Sequence, residues 1–219
     1  MTHLGLGDAI VSGGLAVAKA MSHGGLRFPC WKHNEPSVKS FFVNYPEIEV
    51  VPIDRDDLEG ILHQEKNAIF CGHYSGEPAL EDEGFDAWIY RTAGESLDLR
   101  WELDPVVDAM AAVSQRPSSR PIKYFIHDDP RRDFSITKNR VHQEGVQPWP
   151  NNDCEEKCNS ILEYAYWLKK AESIHVINSA FLHLAESLPT TGSLYLHAYA
   201  RPHSRIDMPR LNKKWTVIE

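Results

Sequence analysis

Short apolar runs alternate with stretches of helical spacing along this chain, and that alternation limits its fold more than any other feature. The strand-like runs cover residues 26–31, 48–53, 67–71, 85–91, 122–127, 173–177 and 193–199. The helix-like stretches cover residues 9–21, 35–43, 54–63, 104–113, 160–171 and 179–188. Strands that are joined through helices return to a sheet in the same direction. The pattern therefore predicts an α/β fold with mainly parallel sheets.

Local signals support two of these helices. Asp8 is placed to cap the first turn of the first helix, while Ser160 and Glu163 have the spacing of a capping box. Gly13 and Gly14 weaken an isolated helix. We therefore expect the first helix to pack closely on a sheet or on a ligand.

A proline- and serine-rich stretch at residues 114–121 interrupts the alternation and is typical of a linker. The chain has 219 residues, which fits one large domain or two small domains of about 100 residues each. We predict two Rossmann-like lobes: an N-terminal lobe over residues 1–115 and a smaller C-terminal α/β lobe over residues 122–219.

Composition and charge narrow the range of partners. Hydrophobic residues make up 42% of the chain and charged residues 25%, as in ordinary globular proteins. The net charge is −8 and no segment is a basic stripe, so nucleic acid is not expected as a partner. No apolar run reaches the roughly 18 residues that span a bilayer. The sequence also lacks a signal peptide pattern. We expect a cytoplasmic protein without an integral membrane segment, and its oligomeric state stays open.

The four cysteines do not form a complete metal-binding pattern. Cys154 and Cys158 are four residues apart, which on a helix places both thiols on one face. Together with His142 they would supply part of a zinc site, but no second cysteine pair completes the ligand set. We expect reduced thiols and no metal, and we expect Cys30 and Cys71 to be buried in strand-like runs.

The first candidate site is the Gly5-Leu6-Gly7-Asp8 turn before the first helix. Glycines let the backbone approach a ligand closely, and a helix N-terminus offers free N–H groups and the positive end of a dipole. The third glycine of a dinucleotide-binding fingerprint is missing. The motif indicates either a phosphate-contacting turn or a tight turn that Asp8 caps.

The second candidate site is the polar loop His127-Asp128-Asp129-Pro130-Arg131-Arg132 at the end of a strand. Loops at the carboxyl ends of parallel strands line the binding crevice of such sheets. Arg131 is suited to bidentate pairing with phosphate, and His127 to donating a hydrogen bond or carrying a proton. The alternative is a solvated loop held by ion pairs.

Two further candidate sites follow later strands. Asn178, Ser179 and Ala180 join a strand to a helix, where a hydroxyl and backbone N–H groups bind phosphate or merely cap the helix. His197 and Arg201 alternate with small residues at the end of another strand. In a continuous strand they share one side with Tyr199, facing either a cleft or solvent. No nucleophile elbow, Walker loop or zinc-protease motif is present.

Two of these segments resemble the GT-B type of glycosyltransferase, in particular the heptosyltransferases and the nodulation-type fucosyltransferases. They are the start Leu4-Gly-Leu-Gly-Asp8-Ala-Ile and the segment Ile174-His-Val-Ile-Asn-Ser-Ala-Phe181-Leu-His-Leu-Ala185. In those families the N-terminal lobe builds the acceptor side and the C-terminal lobe holds the nucleotide-sugar diphosphate. The chain is shorter than typical members, and Asn178 stands where an acidic residue is more usual.

The resemblance implies sugar transfer from a nucleotide-sugar co-substrate to a carbohydrate hydroxyl, with no metal or other cofactor. By position, Arg131 would hold the diphosphate, and Ser179 and Ala180 would present backbone N–H groups to it. Asp8 would be the first candidate for the base that deprotonates the acceptor, and His127 the second.

Two other functions remain open on the residues alone. One is a non-catalytic nucleotide- or sugar-binding protein of the same fold. The other is a metal-dependent hydrolase centred on His127, Asp128 and Asp129, with further histidines contributed by folding. Its possible additional ligands are His175, His183 and His197.

Overall fold

A computed structural model describes residues 4–54, 67–113, 121–137, 145–146, 158–201 and 208–219. Within these ranges the protein is a mixed α/β structure whose sheets are entirely parallel, so the predicted fold class is confirmed at that level. None of the helices in the described part has the length and apolar character that crossing a membrane requires. Most of the predicted helix 54–63, most of the predicted linker, His142 and Cys154 lie outside the described residues.

The helices and strands follow one another in the order of the chain. The helices are α1 (Leu6–Val11), α2 (Gly13–His23), α3 (Glu35–Phe41), α4 (Phe85–Thr92), α5 (Leu99–Glu102), α6 (Pro105–Ala109), α7 (Ala165–Lys170) and α8 (Ala180–Ser187). The strands are β1 (Leu26–Trp31), β2 (Ile48–Ile53), β3 (Tyr124–His127), β4 (Gly145–Val146), β5 (Ser173–Val176), β6 (Ser193–His197) and β7 (Trp215–Ile218). Short 3-10 turns cover Lys32–Asn34, Gly72–Tyr74, Pro130–Arg132, Ile161–Tyr164 and Ala198–Ala200.

The chain divides into two compact units. The first comprises Met1–Ala112 with Arg205–Arg210, and the second Val113–Ser204 with Leu211–Glu219. In the first unit, β1 and β2 pair in parallel from Leu26↔Ile48 to Trp31↔Ile53, with α3 between them in the chain. This strand–helix–strand connection is the one that the alternating pattern predicts.

The predicted first helix is broken into α1 and α2 at Ser12. The hydroxyl of Tyr90 accepts a hydrogen bond from the Leu15 N–H at 3.1 Å and donates one to the Val11 carbonyl at 3.0 Å. These two backbone groups would bond to each other in an unbroken helix. A fully buried tyrosine therefore fills the break, as inserted side chains do at helix kinks.

The prediction that Asp8 caps this helix is wrong. α1 begins at Leu6 with Gly5 as its N-cap, so Gly7 and Asp8 belong to its first turn. Gly13 and Gly14 do pack closely, but on neighbouring helices. A Cβ at Gly13 would lie 2.7 Å from the Pro105 ring, and one at Gly14 would collide with the Leu99 carbonyl.

The predicted strand at residues 85–91 is also wrong, because this segment forms α4. Gly84 is its N-cap in an extended conformation. Phe85 and Ile89 are four residues apart and pack in one core cluster with Val11 and Leu15. The aromatic and branched residues have strand propensity, but the helical spacing of the core contacts decides the outcome. The apolar run at residues 67–71 forms neither a strand nor a helix.

The second unit contains a five-stranded parallel sheet with the order β4-β3-β5-β6-β7. The chain runs outward from β3 to β4 and then returns to β5 on the other side of β3. The strand order therefore reverses between β3 and β5. In open parallel sheets a crevice forms at this point, outside the carboxyl ends of the two strands.

Two predicted caps are present in this unit. The Ser160–Glu163 capping box opens the 3-10 turn that leads into α7, and Ser179 accepts a bond from the Phe181 N–H at 3.3 Å. The edge strand β7 was not predicted. The segment before it is fixed to α8: buried Glu186 accepts the Asn212 N–H at 2.8 Å, and Lys213 Nζ donates to the Ala185 carbonyl at 2.5 Å.

Candidate functional site

The carboxyl ends of β3 and β5 bring together two segments that the sequence places 50 residues apart. β3 ends at His127, and β5 at Val176, its register partner. The loop from Asp128 follows the first strand, and Asn178 and Ser179 follow the second. The reversal of strand order thus lies between two of the predicted candidate sites.

His127 is the most unusual side chain at this edge. It is only 9% exposed, and its ring lies 4.5 Å from the Phe181 ring of α8. Its Nδ1 atom is buried and has no hydrogen-bond partner in the described part of the chain. Desolvation lowers its pKa to about 4, Asp129 opposes the shift, and the positive charges of Arg132 and Arg201 add to it. His127 is therefore neutral near pH 7, and its buried Nδ1 has an unmet hydrogen-bonding capacity within the described residues.

The loop after His127 folds back on itself. Asp129 and Phe134 form an antiparallel bridge, with the Asp129 N–H donating to the Phe134 carbonyl at 2.7 Å. Asp133 takes the left-handed conformation that this reversal requires (φ 63°). Buried Asp128 accepts the Ile136 N–H at 2.8 Å. Both aspartates that were considered as metal ligands thus take part in holding the loop.

Two arginines lie over the ring of Phe134, which is half-buried. The guanidinium carbons of Arg132 and Arg201 are 5.5 Å and 5.4 Å from its centroid, within cation–π range. Arg132 also pairs with Asp129 at 2.6 Å, and Arg201 donates to the Asn178 carbonyl. Arg201 is a predicted site residue, Arg132 lies in the predicted loop without an assigned role, and Phe134 was missed. The adjacent arginines at 131 and 132 are a signal, but sequence alone does not show which of them turns toward the site.

Arg131, the predicted diphosphate ligand, is exposed in the 3-10 turn. Within the described residues its side chain makes no hydrogen bond or ion pair that would fix its direction. The positive charges of Arg132 and Arg201 help to lower the pKa of His127. The geometry therefore favours Arg132 over Arg131 as the arginine of this loop that acts at the edge.

The turn from β5 to α8 is arranged as the sequence suggests. Asn178 is buried, while Ser179 and Ala180 are half-buried at the start of an eight-residue helix. The Ser179 hydroxyl caps the helix by accepting from Phe181. The first N–H groups of a helix lack intrahelical partners, so this start is suited to an anion.

His197 is completely buried and so does not line an open surface. Its Nε2 lies 3.0 Å from the Nδ1 of His175, whose Nε2 is 3.3 Å from the Ser173 hydroxyl. Desolvation and then His197 lower the pKa of His175 to about 4. The predicted strand 193–199 is too long, because β6 ends at His197 and the chain enters a 3-10 turn, so His197, Tyr199 and Arg201 do not share one side of a strand. Tyr199 instead accepts the Thr137 N–H at 2.9 Å, bracing the loop after β3.

The glycine turn of the first unit lies at the carboxyl end of β1. The Leu4 carbonyl accepts hydrogen bonds from the Trp31 N–H at 3.3 Å and from the side-chain amide of Asn34 at 3.4 Å. A Cβ at Gly5 would collide with a carboxylate oxygen of Asp8, so this carboxylate is folded over the backbone at the helix start. Burial, with a smaller contribution from Asp8, raises the pKa of nearby Tyr74. Asp8 is half-buried and so reachable by a ligand.

Across the described residues, no group of three or more histidine, cysteine, aspartate or glutamate side chains is placed to hold a metal ion. Cys30 and Cys71 are buried free thiols, and burial raises the pKa of each. The expectation that Cys154 and Cys158 are reduced thiols on one helix face stays a prediction, because Cys154 lies outside the described part.

No protein-family model, curated protein or solved structure matches this chain. The class that the fold defines is therefore that of an α/β protein with parallel sheets.

Proposed function

We propose that this protein is a glycosyltransferase that moves a sugar from a nucleotide-sugar donor to an acceptor hydroxyl. The observation that carries the proposal is the buried, unpartnered Nδ1 of His127 at the reversal of strand order. A nucleoside diphosphate group at this edge would meet the start of α8, the guanidinium groups over Phe134 and the neutral imidazole. Phosphate oxygens accept hydrogen bonds from all of these donor types.

In this proposal the second unit binds the donor and the first unit the acceptor, as in two-lobed GT-B enzymes. Arg132, Arg201 and the N–H groups after Ser179 stabilise the charge that develops on the departing diphosphate. A neutral His127 donates a hydrogen bond to a phosphate oxygen. Asp8 is the base that takes the proton of the acceptor hydroxyl. No metal is needed for this division of tasks.

Donor binding is tested by thermal unfolding with GDP, UDP and ADP, each with and without EDTA. A nucleotide at 100 times its Kd adds about 2.7 kcal/mol, which is several degrees for a protein of this size. We expect one nucleotide to raise Tm in the presence of EDTA. Arg201→Gln should weaken the apparent affinity for this nucleotide at least tenfold and so reduce the Tm shift. Arg27→Gln, which removes an exposed ion pair with Glu49, should leave the shift unchanged.

The absence of any nucleotide shift, or a shift that Arg201→Gln leaves unchanged, contradicts donor binding at this edge. Catalysis is tested separately with Asp8→Asn. This variant should keep the nucleotide shift and lose sugar transfer. A variant that keeps both would remove Asp8 from the mechanism, and wild-type nucleotide binding without turnover of any donor would favour the non-catalytic alternative.

A further inference from the structure

A cavity of about 370 Å³ opens in the first unit beside the carboxyl-terminal half of α4. Its volume lies within the usual range of ligand sites, about 300–1,000 Å³. The described residues that line it all belong to the first unit. Neither the glycine turn with Asp8 nor the carboxyl ends of β3 and β5 line this cavity, so it is a distinct candidate site.

Two of its four charged side chains are fully engaged within the protein. Arg91 donates through Nε to Glu83 at 2.8 Å, through Nη1 to Glu77 at 2.9 Å and through Nη2 to the Pro78 carbonyl at 2.9 Å. Glu83 accepts the Leu80 N–H at 2.9 Å as well. These contacts make a fixed polar wall that has little capacity left for a ligand.

The other two charged side chains retain open groups. The backbone of Arg210 is fixed, because its N–H donates to Asp86 at 2.9 Å and its carbonyl accepts from Arg100 at 3.2 Å. Its guanidinium makes no hydrogen bond or ion pair to any described residue. Glu95 accepts from Lys19 with Oε1 at 2.7 Å, and its Oε2 has no partner in the same part of the chain.

The residues that line the cavity thus include a guanidinium and a carboxylate with open hydrogen-bonding capacity, together with the apolar residues Ala87 and Leu97. Its two acidic and two basic residues balance in charge, which gives no advantage to a strongly charged ligand. A hydroxyl group both donates and accepts, so neighbouring hydroxyls match a guanidinium and a carboxylate together. The hydrocarbon edge of a sugar ring fits the apolar side.

We propose that the α4 cavity binds a neutral monosaccharide unit through Arg210 and Glu95. Its role as part of the acceptor subsite rests on the proposed transferase function, whereas sugar binding itself does not. Nucleotide binding to the second unit and sugar binding to the first unit are measured independently of each other.

The test is saturation-transfer NMR on the full chain with glucose, galactose, mannose and N-acetylglucosamine, and with glucuronate as a charged comparison. We expect a saturation-transfer signal, which reports binding, for at least one neutral sugar. Arg210→Gln and Glu95→Gln should each lower this signal at least fivefold. Arg27→Gln, which removes an exposed arginine outside the cavity, should leave it unchanged. Circular dichroism checks that each variant is folded.

Transfer to none of the neutral sugars overturns the proposal, as does an equal signal in wild type and in both cavity variants. Stronger transfer to glucuronate than to any neutral sugar overturns the assignment of a neutral ligand. A nucleotide shift without sugar binding rejects the cavity alone. Sugar binding without a nucleotide shift rejects the proposed donor site and leaves the cavity as a carbohydrate site.

Discussion

At the scale of single residues, His127 and His175 make the stability of the protein depend on pH. Burial lowers both pKa values from 6.5 to about 4. The unfolded chain takes up protons below pH 6.5 that the folded chain accepts only near pH 4. The contribution of the two neutral histidines to the free energy of unfolding is therefore complete above pH 6.5 and is lost as the pH falls toward 4.

We predict that each of these histidines makes the free energy of unfolding fall by up to about 3 kcal/mol between pH 7.5 and pH 4. Urea unfolding across this range measures the slope. His127→Gln should flatten it, and His23→Gln, at an exposed position, should not. Equal slopes in wild type and His127→Gln would show that His127 is not held neutral.

Tyr90 gives a second prediction at this scale. Tyr90→Phe removes the hydroxyl between the Val11 carbonyl and the Leu15 N–H while keeping the aromatic ring. Buried polar groups without partners are costly, so we expect a loss of about 1–3 kcal/mol in urea unfolding. Tyr45→Phe removes an exposed bond to Asp108 and is the matched control, with a smaller loss. Similar losses in both variants would contradict this role of Tyr90.

At the scale of elements, the end of α8 depends on Lys213. Its Nζ donates to the carbonyls of Ala185 and Leu188. Carbonyls at the end of a helix have no N–H partner within the helix, so Lys213 satisfies these two. Lys213→Met should lower the stability by about 1–2 kcal/mol, while Lys214→Met, at an exposed neighbouring position, should have little effect. Thermal unfolding of the two variants distinguishes them. A neutral Lys213→Met would mean that β7 holds its place without this cap.

The elements also show how far local sequence signals reach. The caps at Ser160 and Ser179 were predicted because each depends on residues within one helical turn. The strand prediction for residues 85–91 failed because aromatic residues suit both structures. Residues 85–91 form a helix because of contacts with α1 and α2, which are about 75 residues away in the chain.

At the scale of the whole molecule, a late segment returns to the first unit. Asp86 is fully buried and binds the Arg100 guanidinium and the Arg210 N–H, and the Phe85 N–H donates to Met208 at 3.2 Å. No feature of residues 208–210 predicts this return.

We predict that Asp86→Ala lowers the stability by about 3–5 kcal/mol, because it leaves Arg100 as an unpaired buried charge. Asp54→Ala, which removes an exposed ion pair with Lys32, should lower it by less than about 1 kcal/mol. Chemical denaturation measures both. A small effect of Asp86→Ala would show that water replaces the carboxylate at Arg100.

Local sequence signals were sufficient to predict the α/β class, the strands at 26–31 and 48–53, the place of His127 at the end of a strand and those of Asn178 and Ser179 after a strand. Strand and helix periodicity and helix caps are local properties, so neighbouring residues carry them. Three features became visible only in the folded protein: β3 and β5 are adjacent, Arg132 rather than Arg131 shares Phe134 with Arg201, and Arg210 lies at the α4 cavity. These outcomes depend on contacts between distant segments, whose energies no local pattern records.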